Sequence, residues 1–284
     1  AGVTFSESCV VQGNPDYIYV PDNNFEQTLI DLGYDDTLDD FVLTANISGV
    51  TSLNVGNEGI SSLTGIEGFT ALTTLYCYNN ELTSLDVSAN TAITGLRCYG
   101  NQLTALDVSA NTALTELRCE TNQLTNLNLN NNTALTTLYC NNNQLTSLDV
   151  SSNTALTTLW CLHNELTSLD VSANTALTGL RCETNQLTSL DVSGATALIS
   201  LVCAFNSLTS LDLSSNTALT TLSCNHNQLT NLDVSANTAL TYLGCYDNQL
   251  PSLDVSSNTA LTYLSCAENQ LTSLDVNNNT ALNE

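Results

Sequence analysis

The amino-acid sequence predicts an α/β-type repeat solenoid, with short parallel strands on its concave face and mostly irregular turns on its convex side. Two observations predict this fold. From Thr70 onward the chain repeats itself every 21 residues, and ten units fill residues 70–279 without a gap. In each unit apolar residues alternate with outward ones around a cysteine, as in Leu75-Tyr76-Cys77, which is the pattern of a short strand. One unit cannot close a core alone, so the units are expected to stack.

The composition excludes two classes of protein. The 284 residues include 28 Asp and Glu against 3 Lys and Arg, which gives a net charge of −25. Binding to nucleic acid requires many cations to neutralise phosphate groups, and this chain has too few. No apolar stretch approaches the ~20 residues of a membrane span. We therefore expect neither a nucleic-acid partner nor a membrane-spanning segment.

The first segment, residues 1–19, shows neither a helical nor a clean strand period, and we assign it as a lead-in. It contains Cys9, which lies outside the repeats and has no evident partner in the sequence.

Residues 20–47 are predicted to form an N-terminal helical cap. Asn23 and Glu26 have the spacing of a capping box, and Gly33 is a suitable helix stop. One face of the helix would carry three apolar residues, Phe25, Leu29 and Leu32. Such a helix would cover the apolar end of the first turns.

Residues 48–284 are predicted to form the solenoid, with about eleven turns. A looser unit precedes Thr70 and places Val55 where the later units carry cysteine. Thr280 begins a further unit that stops at Glu284. We therefore expect a monomeric array within a longer natural chain; the alternative is that a partner docks on the last turn, whose core and strand edge would be exposed.

Ten of the 11 cysteines occupy one repeat position, and neighbouring ones would lie ~4.8 Å apart. That distance permits a disulfide, but side chains on parallel strands in register point the same way rather than toward each other. A single-file column also lacks the four converging ligands of a zinc site. We expect buried free thiols at Cys77, Cys98, Cys119, Cys140, Cys161, Cys182, Cys203, Cys224, Cys245 and Cys266.

Two polar columns have a structural explanation. An asparagine that follows each strand is expected to bond backbone groups that lose their ladder partners. These are Asn80, Asn101, Asn122, Asn143, Asn164, Asn185, Asn206, Asn227, Asn248 and Asn269. An aspartate column is expected to accept turn N–H groups, as in an Asx turn. It comprises Asp86, Asp107, Asp149, Asp170, Asp191, Asp212, Asp233, Asp254 and Asp275. No cofactor is predicted; the alternative is calcium bridging neighbouring carboxylates.

The units L-x-C-x-x-N-x-L-T-S-L-D-V-S-x-N-T-A-L, over residues 70–282, resemble those of bacterial leucine-rich repeat proteins with 21-residue units. The likeness is greatest to the cysteine-ladder type seen in internalin J and in secreted proteins of the Bacteroidetes. The segment from Val20 to Gly33 also looks like the helical cap of such proteins. The resemblance implies the solenoid fold and the turn-stabilising role of the asparagine column. It says much less about the ligand.

A ligand site is expected where the units differ from one another. The residues before and after each cysteine project outward on the concave face, and all three cations and the only Trp precede a cysteine. Aromatic rings stack on sugars or apolar side chains, and arginine donates to carboxylates or sulfates. We predict a ligand site at Tyr76, Tyr78, Arg97, Tyr99, Arg118, Tyr139, Trp160 and Arg181.

Two further features of these columns bear on that prediction. The outward positions from Tyr76 to Glu183 are large or charged, whereas those from Val202 to Ala267 are mostly small. A structural spacer gives no reason for this difference. An alternative explanation of the arginines is that they pair with nearby acids, as cross-strand pairs do; the candidates are Glu116, Glu120 and Glu183.

The sequence favours a non-enzymatic recognition or adhesion module that binds a protein or a glycan on the concave sheet. His163 and His226 would lie ~14 Å apart, too far to share a metal, and no serine or threonine lies in a catalytic arrangement with a histidine and an acid. The alternatives are a structural spacer that presents other domains, or a module specific for acidic polysaccharide.

Localisation is predicted to be secreted or at a bacterial cell surface. The acidity and the lack of lysine suit an extracellular setting, whereas a ladder of free thiols is equally compatible with a reducing one. The family resemblance favours the extracellular alternative.

Overall fold

The computed structural model describes residues 16–283; most of the predicted lead-in, including Cys9, and Glu284 lie outside the described residues. The described part contains two α-helices, α1 (Asn23–Asp31) and α2 (Thr44–Ile47), and a 3-10 helix (Ile66–Gly68). The strands are β1 (Tyr17–Tyr19), β2 (Phe41–Leu43), β3 (Ser52–Asn54), β4 (Thr74–Tyr76), β5 (Gly95–Arg97), β6 (Glu116–Arg118), β7 (Thr137–Tyr139), β8 (Thr158–Trp160), β9 (Ser168–Asp170), β10 (Gly179–Arg181), β11 (Ser189–Asp191), β12 (Ser200–Val202), β13 (Thr221–Ser223), β14 (Tyr242–Gly244) and β15 (Tyr263–Ser265).

Eleven strands form one parallel sheet, and each turn of the solenoid contributes one of them. The order along the sheet is β3, β4, β5, β6, β7, β8, β10, β12, β13, β14 and β15. Equivalent repeat positions lie side by side, as Leu96, Leu117 and Leu138 do. The backbone ladder continues past the strand ends, where the Cys98 N–H donates to the Arg118 carbonyl at 2.8 Å. The predicted solenoid of stacked parallel strands is confirmed.

One apolar core runs along the whole array behind this sheet. In a typical unit the side chains of Leu75, Cys77 and Val87 are fully buried, and the same positions are buried in most units that follow. At the last turn Cys266 is only half-buried and Leu274 is 37% exposed. The cysteines therefore point into the core and pack as small hydrophobic side chains, as predicted.

The lead-in contains a strand that the sequence analysis did not predict. Tyr17–Tyr19 forms β1 and pairs antiparallel with β2, so that Tyr19 lies opposite Phe41. The rings of these two residues are 5.5 Å apart. A strand of three residues is too short to show a period of two, which explains why the sequence pattern gave no sign of it.

Helix α1 lies inside the predicted cap, but its start was misassigned. The N-cap is Asp22 rather than Asn23, because Asp22 Oδ1 accepts two backbone N–H groups of the first turn at 3.0 Å. Glu26 does not complete a capping box. Its Oε1 instead accepts the N–H groups of Asp39 and Phe41, which fixes the loop after the helix.

The end of α1 follows the prediction. Gly33 adopts a left-handed conformation with φ +79°, and the following hydrogen bonds have the pattern of a Schellman motif. Phe25 and Leu29 are fully buried, and the Phe25 ring lies 6.4 Å from that of Phe69 in the first turns. Leu32, however, is 46% exposed and does not belong to the buried face.

On the flank opposite the main sheet, β9 and β11 form a short parallel pair. Close by, Gly194 packs so tightly that a Cβ atom there would lie 1.7 Å from the Ser172 carbonyl oxygen. A larger residue at this position would therefore require the backbone to move.

Candidate functional site

The eight predicted site residues share the outward face of the main sheet and its adjoining edge. Six of them end consecutive strands, and strand pairing places them side by side in the order Tyr76, Arg97, Arg118, Tyr139, Trp160 and Arg181. The other two, Tyr78 and Tyr99, lie two residues further along β4 and β5. The repeat period thus brings together residues that are more than 100 positions apart in sequence.

The centre of this set is a stack of flat side chains. The rings of Tyr78 and Tyr99 are parallel within 6° at 4.9 Å, and those of Tyr139 and Trp160 lie 4.4 Å apart. Between the two pairs, the guanidinium carbon of Arg118 lies 4.8 Å from the Tyr99 ring and 5.0 Å from the Tyr139 ring. Cations at such distances are attracted to the faces of aromatic rings.

The ends of the set follow the same arrangement. The Arg97 guanidinium lies 4.6 Å from the Tyr76 ring, and the Arg181 guanidinium lies 5.2 Å from the Trp160 ring. We call the eight residues together the aromatic–arginine ladder. Its members are held by each other as well as by the strands, so the surface is ordered before any ligand arrives.

Each arginine of the ladder also has a carboxylate partner, and the partners are the glutamates named as candidates above. Only the Arg97 pair crosses between strands; the other two arginines pair with the glutamate two residues further along the chain. Arg97 donates from Nε and Nη2 to Glu116, at 2.9 and 3.2 Å. The Nε of Arg118 donates to Glu120 at 3.0 Å, and Arg181 pairs in the same way with Glu183. These partners balance the charge of the three arginines.

The pairing does not exhaust the hydrogen-bonding capacity of the arginines. A guanidinium group carries five N–H donors, and Arg97 gives two of them to Glu116. Its side chain is 34% exposed, and that of Arg181 is 41% exposed. The ladder can therefore still donate hydrogen bonds to a ligand, although it offers no excess positive charge.

The C-terminal half of the same face carries more aromatic side chains than the sequence analysis indicated. The rings of Tyr242 and Tyr263, in a strand position that the prediction did not consider, stack at 4.6 Å. At the sheet edge the His226 ring stacks on Phe205 at 4.1 Å and meets Tyr246 edge-on at 4.6 Å. The missed signal was the change of the first strand position to Tyr in the last two units.

The histidines do not form a shared centre. His226 Nε2 lies 2.8 Å from the Tyr246 hydroxyl, and its Nδ1 contacts the Asp247 carboxylate. Among residues 16–283, no three His, Cys, Asp or Glu side chains converge as metal ligands.

The ten cysteines of the repeat column, Cys77 to Cys266, have a structural role in this geometry. None of the ten is bonded to another cysteine within the described part of the chain. Burial raises the pKa of Cys77, Cys140 and Cys203 to about 12, so these thiols keep their protons at neutral pH. A protonated, fully buried thiol is a poor nucleophile and a poor metal ligand.

The aspartate column adopts the predicted Asx turns. Asp86 Oδ1 accepts the Ser88 N–H at 2.9 Å, and Asp149 accepts that of Ser151 at the same distance. Hydrogen bonds from the serine side chain and backbone lower the pKa of both carboxyl groups. Asn128, which replaces aspartate in one unit, accepts the same kind of bond at 3.1 Å.

The asparagine column plays its predicted part at the strand ends. Asn101 Nδ2 donates to the carbonyls of Cys77 and Cys98, both at 3.0 Å, while its Oδ1 accepts the Leu82 N–H. One side chain thus joins two successive turns. A second buried asparagine column, represented by Asn111 and Asn153, lies on the far flank and was not singled out in the sequence.

Comparison with known proteins agrees with this architecture. The family described as leucine rich repeats (2 copies) matches residues 133–174. Internalin J of Listeria monocytogenes is 43% identical over 72 residues, which is 25% of this chain and 8% of that protein.

Solved structures extend the likeness over nearly the whole chain. The functional domain of InlJ from Listeria monocytogenes, which includes a cysteine ladder, has a TM-score of 0.84 and 40% identity. The match covers 94% of this chain but only 65% of that one. An internalin (inlF) from Listeria monocytogenes shares the fold, with a TM-score of 0.72, 23% identity and coverage of 93% and 94%.

No helix within residues 16–283 is long and apolar enough to cross a membrane. These matches agree with the repeat period, the stacked parallel sheet and the buried cysteine column. The chain therefore has the leucine-rich repeat solenoid fold with a buried column of cysteines, and it is similar to bacterial proteins of the cysteine-ladder type.

Proposed function

We propose that this protein is a non-enzymatic recognition and adhesion module that binds a protein ligand on the aromatic–arginine ladder. The observation that carries the proposal is the preordered stack of Tyr, Trp and Arg side chains on an otherwise repetitive sheet. These residue types dominate the binding energy of many protein interfaces. A spacer would need no such surface.

The geometry favours a protein over a glycan. Within the stack, the ring faces of Tyr99, Tyr139 and Trp160 are already covered by neighbouring rings or guanidinium groups. A sugar stacks on a free ring face, whereas a protein loop can pack against ring edges and hydroxyl groups. The paired carboxylates also remove the excess positive charge that would attract an acidic polysaccharide.

We place the protein outside the cell, secreted or displayed at a bacterial surface. The likeness to internalin J supports this location, as do the net charge of −25 and the absence of lysine. Labelling of intact cells with an antibody against the array would test it, and signal only after permeabilisation would contradict it.

The experiment for the ligand is a screen of surface proteins and glycans against the array, followed by a matched pair of variants. The ladder variant is Arg118→Ala with Trp160→Ala, and the control is Ser200→Ala with Thr221→Ala, at the first strand positions of β12 and β13 on the same face. We expect the ladder variant to bind the selected ligand at least about tenfold more weakly, roughly 1.4 kcal/mol, and the control to bind normally. Equal affinities for the two variants would instead support the spacer function.

A further inference from the structure

A second aromatic surface lies beyond the ladder, on strands β13 to β15. Its centre is a row of small residues, Ser223, Gly244 and Ser265, which strand pairing places side by side. Tyrosines flank this row on both sides, since Tyr242 and Tyr246 lie two residues before and after Gly244. We call this surface the C-terminal trough.

The two walls of the trough are built differently. One is the stacked pair of Tyr242 and Tyr263, with rings parallel within 2°. The other is the cluster of Phe205, His226 and Tyr246 at the sheet edge. On an extended backbone the Cα atoms of residues four apart are separated by roughly 13 Å, which leaves room for one extended peptide between the walls.

Gly244 lies on the floor of the trough, and a larger residue there would clash with the Asn225 side chain. A Cβ atom at Gly244 would lie 2.9 Å from Asn225 Oδ1 and 3.0 Å from its Nδ2. That amide is fixed, because it accepts the Tyr246 N–H at 3.1 Å and donates to the Ser223 hydroxyl at 3.0 Å. The hydrogen bonds of Asn225 therefore favour glycine at position 244 and also hold the backbone of Tyr246 in the wall at the sheet edge.

The wall at the sheet edge exposes an aromatic ring, since Phe205 is 52% exposed. Its left-handed conformation, φ +54°, occurs at the same position in all ten units, where residues as different as Gly100, Thr121 and Glu268 adopt it, so the repeat imposes this backbone. An exposed ring at a position that otherwise holds Gly or a polar residue is available for a surface contact.

The charge around the trough is negative only. Asp247 and Glu268 occupy the next two positions along the same edge as Phe205 and His226. Beyond Arg181 the chain contains no Lys or Arg, so no fixed cation balances these carboxylates. His226, which contacts Asp247, is the only histidine in this part of the sequence.

The ladder shows how this sheet holds a guanidinium group. Arg118 lies between two tyrosine rings and donates to a carboxylate. The trough has the tyrosine rings and the carboxylates but no cation of its own. We propose that the trough binds an extended basic segment of a partner protein, whose Arg or Lys side chains lie against the tyrosine rings and pair with Asp247 and Glu268.

The probe for this proposal is a short synthetic peptide of alternating arginine and glycine, titrated into the full chain at low salt by calorimetry. The trough variant is Asp247→Asn with Glu268→Gln. The matched control is Asp233→Asn with Asp254→Asn, which removes the same charge from the aspartate column, outside the main sheet; Asn128 shows that asparagine keeps the Asx turn there. We expect the trough variant to bind at least about tenfold more weakly and the control to change by less than about twofold.

A second pair of variants separates ring contacts from charge. Phe205→Ala with Tyr263→Ala should also weaken binding at least about tenfold. Tyr17→Ala with Leu38→Ala, which removes two exposed apolar side chains at the other end of the chain, should leave it unchanged. If both acidic pairs weaken the peptide equally, the attraction comes from the overall negative charge and the proposal is wrong. Binding of a neutral oligosaccharide in the trough, with no binding of the peptide, would also overturn it. Neither outcome bears on the ligand of the aromatic–arginine ladder.

Discussion

Replacing Asn143 with alanine should destabilise the array far more than replacing Asn153, although the Asn153 side chain is the more deeply buried. Asn143 is 9% exposed and Asn153 is fully buried. Asn143 Oδ1 accepts the Leu124 N–H at 2.9 Å, and its Nδ2 donates to the carbonyls of Cys119 and Cys140 at 3.1 Å each.

The Asn153 side chain donates hydrogen bonds but accepts none from residues 16–283. Its Nδ2 donates to the Leu129 and Asn132 carbonyls at 3.1 and 2.9 Å, but its buried Oδ1 has no partner among the described residues. Both carbonyls also accept backbone N–H groups, those of Asn132 and Leu135, at 3.0 and 3.1 Å. Removing the side chain therefore leaves no backbone group unpaired.

The two substitutions differ in the backbone groups that they leave unpaired. In Asn143→Ala the cysteine carbonyls keep the amides of Asn122 and Asn164, but the buried Leu124 N–H loses its only acceptor in the described structure. An unpaired buried donor costs about 1–3 kcal/mol and each of the two lost hydrogen bonds about 0.5–1.5, which gives roughly 4 kcal/mol at the middle of the range. In Asn153→Ala the two lost bonds are offset by removal of an unpaired buried oxygen, which gives about 0–1 kcal/mol.

The assay is urea unfolding of both variants and the parent protein, followed by circular dichroism. We expect the Asn143 variant to lose about 3–4 kcal/mol more than the Asn153 variant, since the cavities left by the same substitution are similar. If burial alone determined the cost, the fully buried Asn153 would be the more sensitive site. Equal losses, or a larger loss at Asn153, would refute the hydrogen-bond account.

Four further predictions follow from particular contacts. Gly194→Ala should lower the melting temperature because of the 1.7 Å approach to Ser172, whereas Gly179→Ala, with nothing within 4 Å of its Cβ position, should leave it nearly unchanged. Alkylation under denaturing, non-reducing conditions should modify all ten ladder cysteines, and mass spectrometry that finds disulfides among them would contradict this. Chelators should leave the melting temperature nearly unchanged if backbone donors satisfy the aspartate column; a fall of more than about 10 °C that calcium reverses would show that cations hold it. Because the pKa values of Asp86 and Asp149 are lowered in the folded state, their contribution to stability should be present at neutral pH and lost in acid titration, as the pH falls below their ordinary value of 3.8 toward the lowered ones.

Much of the candidate site could be predicted because the repeat has a constant period. A side chain one position before a cysteine must lie beside its equivalent in the next unit, so the order from Tyr76 to Arg181 followed from spacing alone. Which flat group faces which could not be predicted, because it depends on rotamers. Side-chain packing places Arg118 between two rings and stacks Tyr139 against Trp160, and the spacing of the repeat does not specify either contact.

The C-terminal trough shows the limit of reasoning by column. Tyr246 lies in the column after cysteine that the sequence analysis considered, but its neighbours there are small or polar. The columns of Tyr242 and Phe205 are polar or small in most other units and were not considered. The trough exists because the Tyr242–Tyr263 pair and the cluster of Phe205, His226 and Tyr246 lie on either side of the row that contains Gly244. The grouping of side chains from different repeat positions is a property of the folded surface rather than of the pattern.

The repeat pattern alone was enough to predict the solenoid, its stacking register, the inward cysteines and the asparagines at the strand ends. Each of these depends on a local rule repeated ten times, so a small preference in one unit is reinforced by its neighbours. Three-dimensional contacts were needed to reveal the start of α1 and the strand at Tyr17–Tyr19, and to select glutamate pairing from the alternatives that the sequence left open for the arginines. These features occur singly or involve flexible side chains, and their hydrogen bonds form only when distant segments have been brought together.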